Sequence, residues 1–215
     1  SGTTGLPKGV ELTNNNFFGM MPVASEMWSF DTDSVNLVAM PLFHIAGSGW
    51  GVVGLFNGGT NILMKDVDPV AILDIIPQHR VTNVLFVPAV IQFLLMMPNL
   101  ATTDFSSLRA VIYGASPITE DVLVGGMNAL GCDFRQVYGL TETYGPSVVC
   151  EWKSEWDEQE PAARAKLKSR QGVRATLLDD LMVADPDSLQ PMPKDGQSIG
   201  EIMMRGNVVM KGYLK

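Results

Sequence analysis

Short apolar runs alternate with longer stretches of helical periodicity over most of this chain. The runs at 35–40, 60–64, 84–87, 108–113 and 134–137 are rich in Val, Leu, Ile and Phe and too short for helices, so they read as buried strands. Between them the period changes. Over 69–79, Val70, Ile72, Leu73, Ile75 and Ile76 recur at helical spacing, with Asp68 as a cap and Pro69 in the first turn. Pro88 opens a further helix to about residue 97, and another is expected over 119–130. Near the start, 10–12 reads as extended. Thr13 or Asn14 caps a helix toward Trp28, with Phe17, Phe18, Met20 and Met21 apolar and Pro22 interrupting it. Asp31 to Ser34 is a turn, and Gly58-Gly59 ends the helix before the strand at 60. This alternation predicts an α/β fold with a mostly parallel sheet flanked by helices.

The pattern loosens beyond residue 149. The stretch 151–170 is charged, carries Trp152 and Trp156, and is helix-like over 162–169. It reads as a surface excursion that the tryptophans anchor. Strands at 172–178, 181–185 and 200–206, separated by turns at 185–187 and 191–196, suggest the start of a small β element. The expected division is therefore 1–150 as the α/β core and 151–215 as excursion plus β element.

Composition narrows the chemistry. Hydrophobic residues are 46% and charged residues 18%, enough for a core and against disorder. A net charge of −8 argues against nucleic acid as partner, though not against a nucleotide. Two cysteines, Cys132 and Cys150, make neither a disulfide framework nor a metal motif and suit free thiols in a reducing compartment, hence a cytoplasmic protein. The apolar stretch 84–97 is broken by Pro88 and Gln92, so no transmembrane segment is expected. Both ends look cut, and the chain reads as an internal piece of a longer protein.

The densest chemistry lies in the first nine residues, Ser1-Gly2-Thr3-Thr4-Gly5-Leu6-Pro7-Lys8-Gly9. Three glycines let the backbone approach a ligand closely, hydroxyls supply donors, and Lys8 supplies a positive charge. Consecutive N–H groups in such a turn form an anion site, so a phosphate-rich ligand is the natural guest. The plain alternative is a mobile surface turn. Neither G-x-x-x-x-G-K-[ST] nor G-x-G-x-x-G is present, which removes the main support for a P-loop or a Rossmann dinucleotide site. Three other segments follow expected strands: Pro41 to Gly47 with His44, Gly114-Ala115-Ser116-Pro117, and Tyr138-Gly139-Leu140-Thr141-Glu142. Ligands of open parallel sheets collect at such carboxyl ends. Each segment also has a plain reading, as a structural histidine, a small-residue turn and a solvated glutamate.

The opening Ser-Gly-Thr-Thr-Gly-x-Pro-Lys-Gly together with Tyr-Gly-x-Thr-Glu resembles the signatures of the adenylate-forming (AMP-binding) superfamily of acyl-CoA synthetases, adenylation domains and luciferases. Pro-x-x-His-x-x-Gly at 41–47, the segments 81–82 and 87–89, and Gly-Glu-Ile-Met-Met-Arg-Gly at 200–206 are similar too. The run from 168 to 213 looks most like medium-chain and aryl- or alkyl-acid CoA ligases.

The resemblance implies ATP-dependent activation of a fatty or related carboxylic acid to an acyl-adenylate, then transfer to CoA. ATP, Mg²⁺ and CoA would be needed, with no covalent enzyme nucleophile. It implies catalytic roles for Thr3, Lys8, His44 and Glu142. The ATP site would comprise Ser1, Gly2, Thr3, Thr4, Gly5 and Lys8 on the phosphates. Gly114, Ala115, Ser116, Tyr138 and Gly139 would lie on adenine, with Thr141 and Glu142 beside them. Thr4 and Glu142 would hold the metal. His44, Gly47, Trp50 and Val87 would meet the acyl group, although Trp50 also reads as simple core. The implied partners are a small carboxylic acid, ATP and CoA. The family's ribose-binding aspartate and C-terminal-domain lysine would lie beyond residue 215, leaving the piece alone weak or inactive. The runner-up is an amino-acid or aryl-acid adenylation domain loading a carrier protein. Such domains place an acidic residue for the substrate ammonium, and 43–54 has none. A luciferase-type oxygenase and a non-catalytic nucleotide-binding fragment are the remaining alternatives.

Overall fold

The computed structural model describes residues 5–150 and 153–214. Strand β1 (Val10–Glu11) leads into helix α1 (Asn14–Met27), capped by Thr13, whose side chain accepts the Asn16 N–H. There follow β2 (Val35–Val38), α2 (Ile45–Phe56), β3 (Thr60–Leu63), α3 (Pro69–His79), β4 (Asn83–Phe86) and α4 (Pro88–Leu95). Then come β5 (Ala110–Gly114), α5 (Glu120–Leu130), β6 (Asp133–Leu140) and β7 (Gly145–Val149). Helix α6 (Pro161–Lys168) and strands β8 (Val173–Arg174), β9 (Asp180–Ala184), β10 (Glu201–Arg205) and β11 (Gly212–Tyr213) complete the described chain.

The main sheet has seven strands in the order β3-β2-β4-β5-β6-β7-β8. Its first five strands run parallel, as the alternation predicts; β7 and β8 are added antiparallel. Strand side chains alternate between two cores. Val111 and Tyr113 of β5 join α3, α4, α5 and α6, whereas Ala110 and Ile112 face α1 and α2. Both faces are covered, which is why the strands read as continuous apolar runs. Strands β9 and β10 form a separate antiparallel pair, and β1 pairs with β11.

Several expectations change in detail. Pro22 lies inside α1 rather than interrupting it. Its ring costs the helix one N–H bond, but Pro22 and Phe18, whose carbonyl loses that bond, are exposed to water. Strand β6 runs on to Leu140, so Tyr138 and Gly139 sit within it rather than in a turn. Of the strand expected over 172–178, only Val173–Arg174 forms. The stretch read as a surface excursion carries a helix that docks: Ala165 is fully buried and Lys168 is 4% exposed. The Lys168 ammonium donates to the Phe134 carbonyl at 2.8 Å and lies 3.2 Å from the Asp133 carboxylate. The Tyr113 hydroxyl donates to the Lys168 carbonyl at 2.6 Å. Trp152 lies outside the described residues.

Helix α2 is held to the sheet by a polar seam. The Asn36 amide donates to the Trp50 carbonyl at 3.1 Å and to Asn61 Oδ1 at 2.8 Å, and Asn61 donates to the Gly51 carbonyl at 2.7 Å. A Cβ on Gly54 would collide with Asn61. Among the described residues no helix is long and apolar enough to cross a membrane.

Candidate functional site

Parallel strands bring the carboxyl ends of β2, β5 and β6 to one edge of the sheet, and the three expected segments meet there. His44 is the N-cap of α2: its Nδ1 accepts the Ala46 N–H at 3.1 Å. The neutral ring therefore carries its proton on Nε2. His44 is exposed and lines a cavity of about 80 Å³ together with Met20, Trp28, Trp50, Leu85, Gly114, Ala115, Val137, Gly139 and Pro146, among others. Among the described residues no Asp, Glu, Lys or Arg lines it.

The backbone dictates the small residues here. A Cβ on Gly114 would strike the Val137 carbonyl of the neighbouring strand, and one on Gly139 would strike Gly145 and Pro146 across a bulge. Ala115 takes a φ of 67° at the strand exit, and its carbon lies at the cavity. Trp50 is 2% exposed, donates Nε1 to the Leu37 carbonyl at 3.2 Å, and packs against Trp28 and Phe30 with ring centroids 5.3 and 5.0 Å apart. Trp50 is therefore both part of the core and a wall of the cavity.

Other candidates stand elsewhere. Gly47 does not line the cavity; its Cβ would strike the Met40 and Pro41 carbonyls, so it seats α2 on the end of β2. Val87 is the N-cap of α4 and packs into the opposite core, while Leu85 lines the cavity. Ser116 lies in a separate groove with Pro88 and Gln92. Tyr138 is half-buried on β6 beside the bulge, outside the cavity lining.

After β6 the chain makes a single 3-10 turn, Thr141–Thr143, which positions Glu142. Thr143, absent from the sequence candidates, shapes this turn. Its buried hydroxyl lies 3.1 Å from the Leu140 N–H it accepts and 2.9 Å from the Gly145 carbonyl. Tyr144 then takes a φ of 49°, and the chain reverses into β7. Burial pushes the Tyr144 phenol up to about 12. Thr141 is half-buried.

Residues 207–214 form a strap across this turn. The Met210 N–H donates to the Glu142 carbonyl at 2.7 Å, and Asn16 donates to the carbonyls of Asn207 and Val209 at 2.6 and 2.9 Å. The Tyr213 hydroxyl donates to Glu142 Oε1 at 2.9 Å. That bond to a carboxylate holds the phenol proton and pushes Tyr213 above its ordinary value. The Lys8 ammonium lies 5.1 Å from the Tyr213 ring centroid, and the Leu214 N–H donates to the Gly9 carbonyl at 2.8 Å. Tyr213 thus brings the end of the glycine loop next to Glu142. Gly5 is exposed with open space around its Cα. Ser1, Gly2, Thr3 and Thr4 lie outside the described residues.

Among the described residues no group of three or more His, Cys, Asp or Glu side chains could hold a metal. One hard carboxylate beside a hydroxyl residue and a lysine suits Mg²⁺ of the kind held chiefly by nucleotide phosphates and water. The donors therefore fit that ion better than a metal needing an all-protein cage.

The family model described as AMP-binding enzyme matches residues 1–214. An acetate–CoA ligase of Humulus lupulus is 38% identical over 218 residues, covering 100% of this chain and 38% of the relative. A peroxisomal trans-cinnamate:CoA ligase of Petunia hybrida is 35% identical with the same coverage. ATP-bound MatB from Rhodopseudomonas palustris superposes with a TM-score of 0.82 at 28% identity, over 99% of this chain and 39% of that one. The O-succinylbenzoate coenzyme A synthetase of Bacillus subtilis, in complex with ATP and magnesium, gives 0.80 at 26% identity, over 99% and 41%. The chain thus spans well under half the length of these relatives, and it belongs to the AMP-binding enzymes, the adenylate-forming superfamily.

Proposed function

We propose that this chain is the nucleotide- and acyl-binding part of an acyl-CoA ligase. In the whole protein a carboxylate oxygen attacks the α-phosphate of ATP, the bond to pyrophosphate breaks, and an acyl-adenylate forms. The CoA sulfur then attacks the acyl carbon, and the C–O bond to AMP breaks. The reading rests on one juxtaposition: Tyr213 joins Lys8 to Glu142, on the turn that follows Gly139 of an apolar cavity with His44 among its lining residues.

In this reading Lys8, with Ser1 to Gly5, holds the triphosphate. The small backbone at Gly114, Ala115 and Gly139 admits the flat adenine, and Tyr138 and Ser116 lie at its margins. The Nε2–H of His44 donates to the acyl carboxylate or its adenylate and fixes it in line, which is the main catalytic need here. Mg²⁺ supplies charge neutralisation on the phosphates when bound, and Glu142, with Thr141 close in the chain, would hold it together with Thr4. Residues 1–150 carry recognition, and within 151–215 the strap fixes Glu142. The uncharged lining favours a neutral acyl group over an amino acid. CoA as acceptor is supported by the names of the curated relatives. The cytoplasm is the proposed compartment; the petunia relative is named peroxisomal, and imaging a tagged full-length protein decides between them.

The test is acid-dependent pyrophosphate release by the full-length protein, followed by thioester formation with CoA. Release without any added acid, or release only with amino acids, overturns the reading.

A further inference from the structure

Two cavities lie back to back on the α1 side of the sheet. The first is the chamber of about 80 Å³ beneath His44. The second, about 310 Å³, lies between the end of α1 and the first half of β6, where Met27, Arg135, Gln136 and Cys150 line it. Two residues line both: Trp28 and Val137. One indole and one isopropyl group therefore form the partition.

The two tryptophans of the first chamber are held differently. Trp50 is tied through Nε1 to the Leu37 carbonyl. Trp28 is 2% exposed, yet its Nε1 has no partner among the described residues. The partition therefore carries a buried donor, and Asp133 and Arg135 make the lining of the second chamber more polar than that of the first.

Size decides what the first chamber accepts. It is about half the roughly 150 Å³ of a dry apolar cavity that admits benzene. We infer that Trp28, with Val137, is the length-determining wall of the acyl site, closing it at a short neutral acyl group of about two to four carbons. Removing the indole joins the chambers and admits a longer chain. This inference rests on the nucleotide and acyl reading proposed above.

The test uses AMP, butyl-AMP and decyl-AMP, unreactive alkyl esters that mimic an acyl-adenylate, titrated calorimetrically into the chain. The wild-type protein is expected to bind butyl-AMP at least about tenfold more tightly than decyl-AMP. Trp28→Ala is expected to abolish or reverse that order, since the joined chambers leave room for the added methylenes beside Met27, Val137 and Val149. A Trp28→Ala protein that binds AMP normally and keeps the short-chain preference overturns the inference. So does a wild-type protein that binds both esters equally. Should Trp28→Ala lose AMP binding by unfolding, Val137→Ala, which thins the same wall, must narrow the preference by about threefold; an unchanged ratio there overturns the inference as well. Failure of the wild-type protein to bind AMP at all breaks the nucleotide reading itself, and the inference with it.

Discussion

The two faces of the main sheet are built to different specifications. On one face, α3, α4, α5 and α6 cover a core in which Ile72, Ile76, Phe86, Ile91 and Leu94 are wholly buried. Lys168, a charge buried there, is matched by Asp133 and a carbonyl. On the other face, α1 and α2 leave two chambers, carry a polar asparagine seam, and bury unpartnered polar atoms on Trp28, Asn36, Tyr144 and Ser147. The first face carries the larger continuous apolar core, and the second holds the cavity proposed for the ligand. Voids and unpaired polar groups each cost stability, and of those named on this face Trp28 borders the cavity proposed for the ligand.

Substitutions on the two faces sharpen the contrast. The largest effect is expected for Phe86→Ala on the packed face. It should cost about 3–5 kcal/mol in urea unfolding while leaving nucleotide affinity in the surviving folded fraction unchanged. Gly54→Ala on the site face should cost about 1–3 kcal/mol, because the added methyl meets Asn61 and pushes α2 off the sheet. It should also weaken nucleotide or acyl-adenylate binding, since α2 carries His44. Equal loss of binding in both variants would erase the division between the faces.

Acid probes the packed face. Burial pushes the Asp133 carboxyl up, but Arg135 and Lys168 outweigh it and hold the group below the usual carboxylate range. A depressed folded pKa means that the stabilisation is present above the unfolded pKa of about 4 and is lost as pH falls through the lower folded value. Unfolding free energy should therefore decline below about pH 4, and Lys168→Met should flatten that decline while lowering stability at neutral pH. An unchanged acid slope in the variant would remove Asp133 as its source.

Much of the packed face was legible in the sequence, because a parallel sheet buried on both sides imposes apolar runs and capped helices. Pro69–His79 follows directly from Asp68, Pro69 and the spacing of Ile72, Leu73 and Ile76. The segments proposed for the site stood out by residue type, as small residues, a histidine and a glutamate after expected strands. Its three-dimensional content was less so. Strand β7 depends on the Thr143 hydroxyl and on Tyr144 entering the left-handed region, neither of which leaves a periodic signal. Val87 shares strand parity with Leu85, but the strand ends at Phe86, so Val87 turns into the opposite core. Tyr213 lies 71 residues from Glu142, and only the fold brings them together.

That contact provides the smallest expected effect on stability and a clear one on the site. Tyr213→Phe keeps the ring beneath Lys8 and removes the hydroxyl that holds Glu142. Stability should change by less than about 0.5 kcal/mol. The magnesium concentration needed to support ATP binding should rise about tenfold, as for loss of a partner that orients a metal ligand.

The central claim is that Glu142 serves the metal-bound nucleotide beside the acyl cavity. Its most direct measurement is ATP affinity of the wild-type and Glu142→Gln proteins, titrated with and without Mg²⁺. The wild-type protein should gain affinity on adding Mg²⁺, and Glu142→Gln should lose that gain while keeping its metal-free affinity. An equal magnesium response in both proteins would contradict the account.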